Sequence, residues 1–194
     1  MTTAKPLGMS TKKKQWPLAQ AYAVALLLKV MLEPYCDKIA IAGSIRRQKP
    51  EVSDIELLCV PNIKSFYDLF NGQSSHSLLD EHILALISQG TLAYRLNSKS
   101  KRTFGPLNKL LIHTESGIPL DVFCTDAKNW GMAYVVRTGP KDFNIRLMQQ
   151  FRQLGMEGHA YKGISKNGAE TTCPDEETVF RLAGWPYTKP EERA

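Results

Sequence analysis

The chain has 194 residues, of which 43% are hydrophobic and 23% are charged. This composition excludes a chain that is disordered as a whole and predicts a globular protein with one domain, or a core with a small subdomain. The net charge of +6 is uneven, because residues 1–50 carry nine Lys and Arg against two acids, while the remainder carries sixteen against seventeen. A basic N-terminal part favours contact with phosphates, although the same charge can serve as a solubilising surface.

The positions of the cysteines, histidines and apolar runs argue against a zinc-binding, membrane-spanning or secreted protein. The four cysteines form no C-x-x-C pair and the four histidines have no metal-ligand spacing, which argues against a zinc site and favours buried thiols in a reducing compartment. The longest apolar run, AYAVALLLKVML, is broken by Lys29 and is too short to span a bilayer. The start, MTTAKPLGMSTKKK, lacks the apolar segment of a signal peptide. We therefore expect a cytoplasmic protein without membrane association.

The first predicted elements are a leader, a helix and two short strands. Residues 1–14 predict a flexible basic leader, and Pro17 favours the start of a helix over residues 18–32. KIAIAG predicts a buried strand that ends at Gly43, SIRRQ predicts one helical turn, and DIELLCV predicts a second strand.

The rest of the chain predicts a mixed α/β part followed by a small α+β part. Residues 64–71 and 77–89 predict helices, TLAYRL, NKLLIHT and PLDVFCT predict strands, and SKSKR predicts a basic turn. A helix over residues 127–136 closes the first part. A helix over residues 142–154, a Gly-rich turn and a final helix in PDEETVFRLAG, with acids in its first turn, form the second.

Three carboxylates are candidates for metal binding. Asp54 and Glu56 are two positions apart on the predicted strand DIELLCV, so they share a face. Two like charges about 7 Å apart repel each other, and the pair makes sense if hard cations such as Mg²⁺ lie between them. Asp121 alternates with the apolar residues of PLDVFCT. If that strand lies beside DIELLCV, three carboxylates could hold two ions about 3.5–4 Å apart.

The segment GSIRR, just upstream, has features of a phosphate site. Gly43 permits a sharp turn, Ser44 begins a helical turn whose N–H groups favour a phosphate, and Arg46 and Arg47 add charge suited to phosphate oxygens. Taken singly, a D-x-E strand, a Gly-Ser pair and an Arg pair are usually a solvated face, a turn and surface charge. Their conjunction, with an apolar strand on each side, favours a polyphosphate and metal site.

These motifs resemble those of a known family. GSIRR followed by DIE resembles the nucleotidyltransferase fold of the DNA polymerase beta superfamily, a signature shared with tRNA-end-adding enzymes, antibiotic nucleotidyltransferases and toxin-type transferases. RTGPKDFNIRL and DEETVFRLAGWPYTKPEER resemble the thumb opening and C-terminal tail of family X DNA polymerases. The resemblance covers about residues 17–194. It implies an α+β fold: a palm over residues 15–136, with a mixed sheet flanked by helices, and a small α+β thumb over residues 137–194.

The resemblance also assigns roles to individual residues. Asp54, Glu56 and Asp121 would be catalytic ligands of two Mg²⁺ ions, with Mn²⁺ as a substitute, and Asp121 would orient or help deprotonate the primer 3′-hydroxyl. Ser44 and Arg47 would bind the triphosphate. The other candidates for nucleotide binding are Gly43 through its N–H, Arg46 as an alternative arginine, Thr138 and Gly139 beside the sugar, and Asn144 on the minor-groove side.

Four basic residues are candidates for contact with DNA phosphates, although a solvated basic hairpin explains them equally well: Lys99, Lys101, Arg102 and Lys109. The expected partners are primer–template or gapped DNA and a dNTP, and the protein is expected to be a monomer.

The chain departs from the family pattern at three points. Glu56 stands where these polymerases usually have Asp, which shifts the oxygens by about 1 Å. Val136 and Arg137 stand where aromatic residues often help to exclude ribonucleotides. No hairpin of the N-terminal lyase domain precedes Gly43, and no phosphoesterase domain is visible, so we expect a palm and thumb alone, as in the smallest viral members; the location would then be the host-cell cytoplasm.

The sequence thus predicts a minimal family X DNA polymerase that adds dNTPs to a primer 3′-end, with short-gap filling in repair as the context implied by the resemblance. Two alternatives remain open: a nucleotidyltransferase that acts on RNA ends, protein or a small molecule, and a non-catalytic DNA-binding remnant.

Overall fold

A computed structural model of the protein describes residues 14–68 and 72–193, without the side chains of residues 66–68 and 72–74. The leader expected over residues 1–14 therefore lies outside the described residues except for Lys14. Within the described ranges, no helix is both long and apolar enough to cross a membrane.

The described residues form helices, strands and two 3₁₀ turns. The helices are α1 (Leu18–Leu32), α2 (Gly43–Arg46), α3 (Leu78–Ser88), α4 (Trp130–Thr138), α5 (Lys141–Gln153) and α6 (Glu176–Ala183). The strands are β1 (Trp16–Pro17), β2 (Cys36–Ile41), β3 (Glu51–Val52), β4 (Ile55–Pro61), β5 (Ile63–Asp68), β6 (Gly72–Ser77), β7 (Leu92–Tyr94), β8 (Asn108–His113), β9 (Pro119–Cys124), β10 (Met156–His159), β11 (Gly163–Lys166) and β12 (Ala169–Thr171). The 3₁₀ turns are Glu33–Tyr35 and Pro190–Glu192.

A five-stranded mixed sheet is the centre of the fold. Its order is β2-β4-β9-β8-β7, with β4 and β9 parallel and the other pairs antiparallel. The two strands that carry the predicted carboxylates are therefore direct neighbours, and their parallel register places Glu56 opposite Asp121. Smaller sheets pair β1 with β3, β5 with β6, and β10 with β11 and β12.

The two faces of the central sheet pack against different helices. Ile55, Leu57 and Cys59 of β4 belong to the large core that also contains buried residues of α1 and α3. Leu58 and Val60, on the opposite face, pack with Trp130 and Ala133 of α4. Because side chains alternate along a strand, Glu56 lies on the α4 face, at the end where the apolar packing stops.

Helix α4 joins the central sheet to a second core. Met132 and Val135, on its other face, pack with residues of α5 and α6 in a separate hydrophobic cluster that includes Phe143. Gly131 permits this packing, since a Cβ there would lie 1.9 Å from the backbone oxygen of Asp175.

The expected fold class is confirmed: a mixed sheet flanked by helices, followed by a small α+β part. The division into residues 15–136 and 137–194 remains a prediction. The helix predicted over residues 64–71 is wrong, because residues 64–68 belong to β5, which pairs antiparallel with β6; residues 69–71 lie outside the description. Phe66 and Tyr67 are residue types that favour strands, and pairing with β6 decides the outcome.

Candidate active site

Three carboxylates lie close enough to influence one another. Glu56 on β4 and Asp121 on β9 are paired in register, and Asp54 lies just before β4. Burial, together with the negative charges of Asp54 and Asp121, raises the pKa of Glu56 to about 7. The two strands are therefore neighbours, as the sequence analysis required, and they place like charges where a cation would stabilise them.

The oxygen donors of this cluster suit a hard divalent cation. Among residues 14–68 and 72–193, however, no group of three His, Cys, Asp or Glu side chains is arranged to hold a metal ion. The carboxylate of Asp121 forms an ion pair with Arg95. Asp54, Glu56 and Asp121 therefore suit a divalent ion by the chemistry of their carboxylates. To bind the ion together, the three carboxylates would have to move closer to one another.

The backbone at Gly43 lies close to the carboxyl group of Glu56. Gly43 opens α2 with φ at +63°, and a Cβ there would lie 2.9 Å from Cδ of Glu56. Ala42, the residue before it, donates its N–H to the carbonyl of Glu56 (2.9 Å). The glycine of the GSIRR segment is therefore required by the neighbouring carboxylate as well as by the turn.

Beside Glu56 lies an open cleft of about 680 Å³ between the end of β4 and helices α4 and α5. The predicted nucleotide-binding residues that line it are Arg47, Thr138, Gly139 and Asn144. Arg47 donates to the carbonyl of Thr138, and Nδ2 of Asn144 donates to the carbonyl of Val136 (2.8 Å). Nε of Arg47 and Oδ1 of Asn144 are buried and have no hydrogen-bond partner among the described residues, so the wall of the cleft keeps unused polar groups.

The cleft also contains three cations that were not among the predicted binding residues, namely Arg137, Lys141 and Arg152. Arg137 stacks on Phe123 with its guanidinium carbon 3.7 Å from the ring centroid, and its positive charge acts to lower the pKa of Glu56. Lys141 and Arg152 are eleven positions apart on α5, a helical spacing that puts them on one face and that could have revealed them.

Arg46 does not line this cleft, which corrects its place as an alternative nucleotide ligand. Its guanidinium makes two hydrogen bonds to Glu176 (2.6 and 2.8 Å), donates to Oγ1 of Thr138 (2.6 Å) and stacks 3.6 Å from the ring centroid of Tyr134. Arg193 donates to the same Glu176 (3.0 Å). Arg46 thus joins α2 to α4 and α6.

Ser44 and Thr138 occupy less accessible positions than the resemblance implied. Ser44 is half-buried in α2 and is not part of the cleft wall. Thr138 is fully buried, although it forms part of the cleft wall next to Gly139. Their roles toward a nucleotide remain predictions.

Lys109 was expected to contact DNA, and this expectation is wrong. Its side chain is fully buried, with Nζ 2.9 Å from Oδ1 of Asp80 and 2.9 Å from the carbonyl of Gly105. The other three candidates are exposed: Lys99, Lys101 and Arg102. They follow β7 in a segment where Asn97 accepts the N–H groups of Lys99 and Lys101.

Comparison with known proteins gives the class of the fold. Residues 133–194 match the family model of the DNA polymerase beta thumb. A polymerase beta of Leishmania infantum in a ternary P/T complex matches with a TM-score of 0.72 and 19% identity over 93% of this chain and 77% of that one. The same organism's polymerase beta in a ternary gap complex gives 0.74 and 18%, over 93% and 71%. No curated protein sequence matches.

The molecule therefore has the fold of these polymerase beta structures. Residues 133–194 are similar to the thumb of DNA polymerase beta, in agreement with the resemblance noted for the thumb motifs of the sequence.

Proposed function

We propose that this protein is a DNA polymerase that adds dNTPs to a primer 3′-end by metal-assisted phosphoryl transfer, with short gaps in damaged DNA as its substrate. The observation that carries the proposal is the in-register pairing of Glu56 with Asp121, with Asp54 close by and a basic cleft alongside. Phosphoryl transfer is catalysed mainly by positioning and by charge neutralisation, and this arrangement supplies both kinds of group.

Asp54, Glu56 and Asp121 would hold two divalent ions, Mg²⁺ with Mn²⁺ as a substitute. When bound, such ions neutralise charge on the attacking and leaving oxygens. Asp121 would additionally orient the primer hydroxyl. The longer Glu56 side chain is compatible with this role, because Gly43 leaves room for its carboxyl group.

The cleft would receive the nucleotide. Arg47, Arg137, Lys141 and Arg152 make its wall strongly basic, which favours a triphosphate. Nε of Arg47 would donate to a phosphate oxygen, and Oδ1 of Asn144 would accept from a base or sugar, after a side-chain movement that turns these buried, unused atoms toward the cleft.

The first test is the removal of single carboxylates. Asp54→Ala and Asp121→Ala should each abolish single-nucleotide incorporation on gapped DNA while the circular dichroism spectrum and melting temperature stay close to those of the wild type. Asp37→Ala is the matched control, since Asp37 is an exposed acid on β2 of the same sheet. Activity in either active-site variant comparable to that of the control would refute the assignment.

The second test separates polymerase activity from other nucleotidyl transfer. Gapped, nicked and primer–template DNA, single-stranded RNA and a polymer-free mixture are offered in parallel, each with labelled dNTPs and NTPs. We expect template-directed extension of DNA, with the fastest addition on a short gap. Transfer to RNA or to an acceptor without template, and none to DNA, would favour the alternative nucleotidyltransferase.

A further inference from the structure

A row of side chains crosses the central sheet at the candidate active site. Arg95, just after β7, donates its backbone N–H to the carbonyl of Leu110 (3.0 Å) on β8. Leu110 is paired with Asp121 on β9, and Asp121 is paired with Glu56 on β4. The row therefore runs from a cation at one end to two carboxylates at the other.

Arg95 spans β8 to reach the carboxylate of Asp121, with which it forms a hydrogen-bonded ion pair. The two side chains are 30% and 17% exposed, respectively. The attraction is thus only partly screened by water, and it is stronger than that of a fully exposed pair.

The Arg95 guanidinium is not saturated by this pairing. Its Nε is buried and has no hydrogen-bond partner among the described residues. A planar guanidinium with an unused donor is held less firmly than one whose donors are all bonded. Arg95 can therefore leave the carboxylate at a moderate cost.

Space for such a movement exists next to the pair. A hollow of about 220 Å³ is lined by Arg95 together with Lys14, Trp16, Ser53 and Asp54. Lys14 lies over the ring of Trp16, with Nζ 5.0 Å from the centroid. A released guanidinium would remain beside Asp54 and close to the carboxylate cluster.

From these contacts we infer that Arg95 is a positioning residue that occupies Asp121 as an internal counter-cation and is displaced when a divalent ion binds there. The inference rests on the proposed function, in which Asp121 is a metal ligand. It gives the partly buried carboxylate pair of Glu56 and Asp121 a positively charged partner, and it makes the affinity for metal depend on an ion pair that must first open.

The test measures Mn²⁺ binding directly, by electron paramagnetic resonance of the free ion, in the presence of dATP and without DNA. Arg95→Met should lower the dissociation constant by roughly three- to tenfold, because the competing ion pair is gone. Arg181→Met, which removes an exposed arginine from α6, should leave the constant unchanged. Arg95→Gln, a polar neutral replacement, serves if the methionine variant fails to fold.

A double-mutant cycle with Asp121→Asn identifies the mechanism. If Arg95 acts by occupying Asp121, Arg95→Met should change Mn²⁺ affinity by less than about twofold in the Asp121→Asn background. If Arg95→Met tightened Mn²⁺ binding equally in the wild-type and Asp121→Asn backgrounds, the effect would come from general electrostatics, and the inference would be overturned. Mn²⁺ binding that Asp121→Asn weakens and Arg95→Met leaves unchanged would overturn only this inference, whereas no Mn²⁺ binding by the wild type would overturn the proposed function as well.

Discussion

Gly43 and Glu56 show how one residue can be constrained by two requirements. A positive φ of +63° already favours glycine at this position. The Glu56 carboxyl group then fills the space that a side chain would use, because a Cβ would lie 2.9 Å from its Cδ and 3.2 Å from its Cβ. The glycine is therefore tied to the geometry of the carboxylate cluster, and not only to the turn.

Gly43→Ala should lower incorporation by at least about tenfold, since a misplacement of about 1 Å at a catalytic group has effects of this size. Gly168→Ala is the matched control: Gly168 has φ at +79°, and nothing lies within 4 Å of the Cβ position. Both variants should lose about 1 kcal/mol of unfolding free energy. If incorporation falls equally in both, backbone strain rather than the contact with Glu56 is responsible.

At the scale of elements, an ion network fastens α2 to α6 and the C-terminal segment. Glu176 is 6% exposed and accepts hydrogen bonds from Arg46 and Arg193, the latter being 3% exposed. Burial alone would favour the neutral acid, but the hydrogen bonds from Arg46 and Arg193 prevail and lower the pKa of Glu176. The cost of burying these charged groups is offset only when Glu176, Arg46 and Arg193 are all present.

Glu176→Gln should reduce the unfolding free energy by about 3–5 kcal/mol, because it leaves two arginines without their shared carboxylate. Glu177→Gln, an exposed neighbour on the same helix, should change it by less than about 0.5 kcal/mol. Denaturant titration at neutral pH measures both. Equal stabilities of the two variants would show that the network contributes nothing.

The same network predicts a dependence on pH. Since the folded-state pKa of Glu176 lies below its ordinary value of 4.5, its contribution is complete above that pH and disappears as the pH falls through the folded-state pKa. The difference in unfolding free energy between wild type and Glu176→Gln should therefore shrink in acid. A difference that stays constant from pH 7 to strongly acidic solution would contradict the assigned ion network.

At the scale of the whole molecule, surface charge and buried charge have to be separated. The net charge is +6, but Lys109 is enclosed with Asp80 and cannot reach a ligand, while Lys99 and Lys101 are exposed. Only exposed cations release counterions when DNA binds.

The double variant Lys99→Ala and Lys101→Ala should reduce the slope of log affinity for gapped DNA against log salt by about 2, if each lysine contacts one phosphate. Lys109→Met should leave the slope unchanged but lower the unfolding free energy by about 1–3 kcal/mol, since Asp80 and the carbonyl of Gly105 lose a charged partner. A smaller slope in the Lys109 variant with unaltered stability would reverse the two assignments.

Local patterns were sufficient for most elements of the fold. Helix α1 follows from a proline followed by strong helix formers, and β4 and β9 follow from apolar alternation around Glu56 and Asp121. The failure at residues 64–71 has a physical cause, because short apolar segments become strand or helix according to the partner they find, and here that partner is β6.

Sequence alone determined which residue types are available for chemistry: three acids on predicted strands, a glycine-serine turn and an arginine pair, since side-chain alternation is a local property of the backbone. Tertiary structure decided how those groups are used. Arg46 meets Glu176 across 130 positions, Arg95 meets Asp121 across 26, and Lys109 is enclosed by packing. Whether a cation faces solvent, a ligand or a buried acid depends on which distant segment folds against it, and no local pattern encodes that choice.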